Sequence, residues 1–243
     1  MSITAIITGA SRGIGAATAQ VLAREGYQLF LCASHSGKEL MAVKEQCEAL
    51  GASCTTFLGD LCQPETAMQL VNTALDAYPT IDVLINNAGI SHVGLVTDAS
   101  KEDWNRILSA NLSAAFFLCQ AILPHMIHRK QGKIVNISSI WGVHGASCEV
   151  AYSASKGGLN TLTKALAKEV APSGISVNAI ACGMIDTRMN ACFSREEIND
   201  ICEEIPIGRM ASPEETGEFI SLLLKASPYM TGQIIGFDGG WGV

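Results

Sequence analysis

Short apolar runs alternate with longer amphipathic stretches along the chain. The apolar runs predict strands at 3–8, 28–33, 53–58, 82–86, 133–138, 175–180 and 233–237. Between them, apolar residues recur at helical spacing and predict helices near 13–26, 38–50, 65–78, 101–129, 153–171 and 213–226. Runs such as Val83-Leu84-Ile85 and Ile134-Val135-Asn136-Ile137 are apolar on both faces, as expected for a parallel sheet covered on both sides. Alternation of this kind implies right-handed βαβ units. The expected fold is α/β, one doubly wound Rossmann-type domain over residues 1–243 with seven parallel strands.

The rhythm fails once. Residues 183–211 show weak periodicity. An unstructured insertion of that length is usually functional, and this one follows the carboxyl end of a strand, where ligands bind in open α/β sheets. It is expected to be a substrate lid. The plainer alternative is a surface excursion with a short helix at 195–204.

Composition narrows the class. The net charge of −7 comes with no basic stripe, which excludes an ordinary duplex nucleic-acid binder. Nine cysteines occur without a Cys-x-x-Cys pair, so no structural zinc site is expected. Ile3-Thr4-Ala5-Ile6-Ile7 already reads as a strand rather than a leader. No apolar run was expected to reach the ~18–20 residues that span a bilayer. The chain is expected to be cytoplasmic, with reduced cysteines.

The first strand runs into Thr8-Gly9-Ala10-Ser11-Arg12-Gly13-Ile14-Gly15 and then a helix. Gly9 suits a sharp turn, Gly13 lets the backbone approach a pyrophosphate, and Gly15 lets the helix pack closely. The free N–H groups of the helix start face the phosphates. An NAD site usually carries an acid ~20 residues past the glycines. Here the second strand ends in Cys32-Ala33-Ser34-His35-Ser36, with no carboxylate. Together with Arg12 and Ser34, that absence admits a 2′-phosphate and favours NADP(H). In the alternative, Arg12 is solvated and Glu39 reaches the ribose.

Tyr152 and Lys156 lie four residues apart in a helix-compatible stretch, and Ser139 ends an apolar strand. Residues i and i+4 share a helix face. An ammonium beside a phenol is expected to favour the phenolate and lower the phenol pKa.

These features, with Asn86-Asn87-Ala88-Gly89 after the fourth strand and Asn111 in a long helix, resemble the short-chain dehydrogenase/reductase family from Ile3 to Gly240. The segments Ile205-Pro206-Ile207-Gly208-Arg209 and Tyr229 to Gly240 resemble its 3-oxoacyl-[acyl-carrier-protein] reductase branch. The resemblance implies that Tyr152 exchanges a proton with the carbonyl oxygen. It implies that Lys156 binds the nicotinamide ribose, Ser139 steadies the carbonyl oxygen, and Asn111 holds a water beside Lys156. Asp60 and Leu61 would meet the adenine. Asn87, Ala88 and Gly89 would line the cofactor cleft, with Gly183, Ile185 and Thr187 at the nicotinamide. A homotetramer is also implied, its interfaces formed by the long helices and by the carboxyl-terminal strand ending at Gly240-Trp241.

One departure stands beside the nicotinamide. The family usually has Pro-Gly after the sixth strand, where this chain has Cys182-Gly183. Family position puts His92, Trp141, His144, Cys148 and Glu149 at the substrate end. Glu149 belongs either to the rim or beside a cationic substrate group. The run from Ser138 to Val150 is also similar to a branch that reduces a 5-aminopentanone group on elongation factor P. An acyl carrier protein would need basic residues near the cleft, for which Arg129-Lys130 offers one patch, while Ser173 stands where reductases often carry another. A nucleotide-sensing protein that keeps the fold without the chemistry is the alternative of another class.

Overall fold

The computed structural model describes residues 2–242. Its strands are β1 (Thr4–Thr8), β2 (Gln28–Ala33), β3 (Cys54–Leu58), β4 (Val83–Asn86), β5 (Gly132–Ser139), β6 (Ile175–Cys182) and β7 (Ile234–Phe237). They form one sheet in the order β3-β2-β1-β4-β5-β6-β7, and every pairing is parallel. The helices are α1 (Gly13–Arg24), α2 (Gly37–Ala49), α3 (Pro64–Ala77), α4 (Lys101–Leu108), α5 (Ala114–Arg129), α6 (Trp141–His144), α7 (Val150–Val170), α8 (Arg195–Glu204) and α9 (Pro213–Lys225).

Strand alternation divides the core. Ile7, Leu29, Leu31, Ile85 and Val135 face one side, where α1, α2 and α9 pack. Ile6, Phe30, Leu84 and Ile134 face the other, against α3, α5 and α7. Burial of both faces explains why these runs carry no polar alternation. The strand order reverses between β1 and β4, so the crevice opens at their carboxyl ends.

The 101–129 helix holds two differences from expectation. A π turn at Ser109–Ser113 joins α4 to α5 and carries the buried Asn111. The helix from Lys101 to Arg129 also contains an 18-residue window of mean hydropathy 1.6, long and apolar enough to cross a membrane by length and composition alone. Its face of Leu118, Cys119, Ile122 and Met126 is packed into the core beneath the sheet.

Arg129, of the Arg129-Lys130 pair, lies away from the cleft of its own chain. Arg129 bonds Asp82 at 2.9 Å and the Ile81 carbonyl at 3.1 Å. Asp82 in turn accepts the Thr4 N–H at 2.9 Å. These contacts sit at the amino ends of β1 and β4, the rim opposite the crevice. Arg129 serves the start of the sheet rather than the cleft.

Candidate active site

A cleft of about 910 Å³ opens over the carboxyl ends of the strands. Ligand sites commonly span ~300–1,000 Å³. Its first wall is the turn after β1, where Gly9, Ser11, Arg12, Gly13 and Ile14 all line the cleft. Gly9 takes φ +63, and a Cβ there would meet the Ala88 Cα at 2.9 Å. Gly15 lies outside the lining. A Cβ on it would strike the Gly9 carbonyl and come within 2.6 Å of Asn87 Nδ2. Its lack of a side chain lets α1 abut the turn.

Asn87 fastens the two central strands together. Its Nδ2 donates to the carbonyls of Thr8 at 2.8 Å and Gly9 at 3.2 Å. Thr8 Oγ1 accepts the backbone N–H groups of Asn87 and Ala88, both at 3.0 Å. Asn87, Ala88 and Gly89 thereby form the opposite lip of the crevice.

Ser34, Asp60 and Leu61 line the end beyond β2 and β3. Asp60 accepts the Cys62 N–H at 3.0 Å, which shapes that loop. The two readings of Arg12 and Glu39 meet here in one cluster. Glu39 bonds Arg12 at 3.3 Å and Arg188 at 2.8 Å. One carboxylate between two guanidiniums leaves positive charge in excess at this mouth.

Tyr152 and Lys156 project from α7, and Ser139 from the end of β5. All three side chains are buried at the floor of the cleft. Lys156 Nζ donates to the Ile137 carbonyl at 2.8 Å and lies 5.7 Å from the centre of the Tyr152 ring. Ser139 stands beside the phenol, and its Oγ accepts the Trp141 N–H at 3.1 Å. The electrostatics differ from expectation. Burial drives the phenol pKa well above its ordinary value, with Glu149 and Cys182 adding to the rise and the neighbouring Ser139 hydroxyl opposing it. Burial also lowers the Lys156 ammonium to about 8. Desolvation outweighs the mutual attraction because Lys156 is directed at a carbonyl of β5 rather than at the phenol oxygen.

Asn111 lies behind this group, outside the lining. Its Oδ1 accepts the Ile90 N–H at 2.8 Å, and its Nδ2 donates to the Ile90 carbonyl at 2.9 Å and to Ser155 Oγ at 3.0 Å. Ser155 Oγ donates to the Tyr152 carbonyl at 2.7 Å. Asn111 thus clamps the loop after β4 to the face of α7 that carries Tyr152 and Lys156. A Cβ on Gly89 would fall 3.1 Å from Asn111 Oδ1 and 3.5 Å from Lys156 Nζ, so a glycine here keeps that approach open.

Trp141 and Glu149 line the opposite end of the cleft, and His92 does not. The His92 ring lies against Gly94, and the His144 ring against Gly242. Glu149 is half-buried; burial raises its pKa and the neighbouring Trp141 side chain opposes the rise. Cys182 lines the floor, but burial holds its thiol at about 12, so it is an inert wall at neutral pH.

Residues 183–211 contain a 3₁₀ turn (Arg188–Asn190) and α8, at the position of the short helix in the plainer alternative. Gly183, Ile185 and Thr187 line the cleft, and so do Met189 and Phe193 further along. The segment returns to its own base through a bridge between Ile185 and Ala211. Sequence reasoning missed Phe193, Arg188 and Trp241, all of which line the cleft. Trp241 gave no local signal, since its ring partner, Trp141, is a hundred positions away.

The sequence model for short chain dehydrogenases matches residues 3–198. The chain belongs to the short-chain dehydrogenase/reductase family of oxidoreductases, whose members use nicotinamide cofactors. It is 42% identical over 247 residues to the uncharacterized oxidoreductase YmfI of Bacillus subtilis, covering 99% of both chains. It is 36% identical over 236 residues to the 3-oxoacyl-[acyl-carrier-protein] reductase FabG of Thermotoga maritima, covering 97% of this chain and 96% of that one. With FabG of Aquifex aeolicus the identity is 38% over 237 residues, covering 97% and 95%.

Proposed function

We propose that this chain is an NADP(H)-dependent ketone reductase of the 3-oxoacyl-[acyl-carrier-protein] reductase type. The observation that carries the reading is the convergence of Ser139, Tyr152 and Lys156 at one floor of a dinucleotide-sized cleft. The glycine-cradled helix start would hold the pyrophosphate. Ser34 and Arg12 would hold the 2′-phosphate, with Glu39 displaced from Arg12. Asp60 and Leu61 would flank the adenine, and Ile185 and Thr187 the carboxamide. When bound, the reduced cofactor supplies a hydride to the carbonyl carbon.

The chain's own residues supply the rest. Ser139 orients the ketone oxygen, and Tyr152 gives it a proton. Ketone plus hydride plus proton yields a secondary alcohol, leaving an oxidised cofactor and a tyrosinate to be reprotonated. Lys156 holds the cofactor ribose and stabilises that tyrosinate, and Asn111 fixes the backbone around both. A ribose and an oxidised ring entering this pocket would bring the polar partners that the buried phenol lacks, which supports a lower phenol pKa in the loaded protein.

We place residues 1–243 in one domain, with 183–211 as its substrate lid. The exposed apolar residues Trp104, Phe116 and Ile127 on the long helix, and Leu222 and Tyr229 near the carboxyl terminus, support self-association, and the homotetramer and the cytoplasmic location are proposed from the resemblance. The deciding experiment compares NADPH and NADH oxidation across a panel of small β-ketoesters. Turnover with a lower KM for NADPH is expected. A lower KM for NADH reverses the cofactor assignment, and binding without turnover favours a nucleotide sensor.

Glu149 favours a second reading of the substrate. It is half-buried in the cleft, and no cation of the chain forms an ion pair with it among the described residues. A ketone carrying an ammonium, such as an aminopentanone on elongation factor P, would supply that cation. Glu149→Gln is expected to lower kcat/KM for an aminoketone about tenfold or more relative to a neutral ketone of the same length. Equal losses on both would leave the neutral acyl substrate as the reading.

A further inference from the structure

We propose that Trp241, beyond the last strand, is a specificity-determining residue: with Trp141 it closes the substrate end of the cleft and selects slender, unbranched ketones. The inference rests on the ketone-reductase reading above and adds the shape of the substrate.

The two indole rings meet edge to face, with centroids 4.9 Å apart and an interplanar angle of 66°. This is a favoured aromatic geometry, so the pair forms a continuous apolar wall. Both rings line the cleft, and Trp141 stands two residues past Ser139. The wall is therefore at the reacting end. Glu149 lines the same end of the cleft.

The wall is braced from behind. Asp238 accepts the N–H groups of Gly240 and Gly242, each at 3.0 Å, and the Trp241 N–H reaches the Asp238 carbonyl at 3.3 Å. Asp238 packs so closely on Gly183 that a Cβ there would lie 2.8 Å from its Cα. The Gly183 N–H donates to the Phe237 carbonyl at 3.0 Å, and the Ile207 N–H to the Gly239 carbonyl at 3.2 Å. The tail holding Trp241 is thus fastened to both ends of the 183–211 segment. A braced aromatic wall yields little to a bulky group, and a branched or aryl ketone would have to displace it.

The test measures kcat/KM for a linear β-ketoester and for an aryl ketone, with NADPH, in wild type, Trp241→Ala and Trp241→Phe. In Trp241→Ala the aryl-to-linear ratio is expected to rise about tenfold or more, while the KM for NADPH stays at the wild-type value. Trp241→Phe, which keeps a ring against Trp141, should return the ratio to near wild type. An unchanged ratio in an active Trp241→Ala protein overturns the proposal and leaves the ketone-reductase reading intact. Loss of NADPH binding along with turnover makes Trp241 a determinant of the fold and also overturns it. A wild-type protein that reduces neither ketone overturns the underlying reading first.

Discussion

Tyr152→Phe is expected to lower ketone turnover by about 10²–10⁴-fold and to leave NADPH affinity near wild type. The phenol is the acidic O–H on the cleft floor that can follow hydride to the carbonyl oxygen. Its neighbour Ser139 is a far weaker acid, and Lys156 is directed at the Ile137 carbonyl. Phenylalanine keeps the ring that fills this nearly closed position, where only 9% of Tyr152 is exposed. The loss is one hydroxyl and its polar contacts, worth about 1 kcal/mol of stability. Steady-state NADPH oxidation gives the turnover, and a fluorescence titration with NADPH gives the affinity. Turnover within a few-fold of wild type would remove Tyr152 from the chemistry and leave the chain as a nucleotide holder.

The frame of this site could be read before its detail for a physical reason. Strands buried on both faces are mostly apolar, so the apolar runs of β1, β4, β5 and β6 are visible locally. Gly9 and Gly15 were legible because close backbone approach excludes a side chain, and the chain writes that exclusion as glycine. The interior of the cleft depends on contacts that no local pattern carries. Glu39 draws Arg12 and Arg188 together from three separate elements. Asn111 reads as a polar spot on a helix until the π turn brings its amide to Ile90 and Ser155. His92 was placed by analogy of position, and the loop after β4 turns its ring toward Gly94 instead. Spacing gives the proximity of Tyr152 and Lys156, whereas the direction of the phenol pKa shift in the ligand-free protein also depends on burial and on where Nζ is aimed.

Lys156→Met should abolish most turnover, by at least about 10²-fold, and should also change how stability depends on pH. Lys156 is 4% exposed. Its folded pKa is lowered from 10.5 to about 8. Below about 8 the side chain is charged in both folded and unfolded protein, and the fold carries the full desolvation penalty. Between about 8 and 10.5 the unfolded chain binds the proton and the folded chain does not, so wild-type stability gains from this group as pH rises. The shift corresponds to about 3 kcal/mol. Methionine is similar in length and apolar, so it escapes the penalty. It leaves the Ile137 carbonyl without the ammonium donor, a loss of about 1–3 kcal/mol. The two effects roughly offset near neutral pH, where the variant should match or exceed wild type. As pH climbs toward about 10, wild type should gain on the variant by about 2–3 kcal/mol. Cys32 and Cys119 have pKa values raised by burial without any part played by Lys156, so their contribution cancels in the comparison. Paired urea titrations of the ligand-free proteins at neutral and alkaline pH measure the gap. A gap that does not move with pH would mean that the Lys156 ammonium is not desolvated, and the account of its poise beside Tyr152 would fall with it.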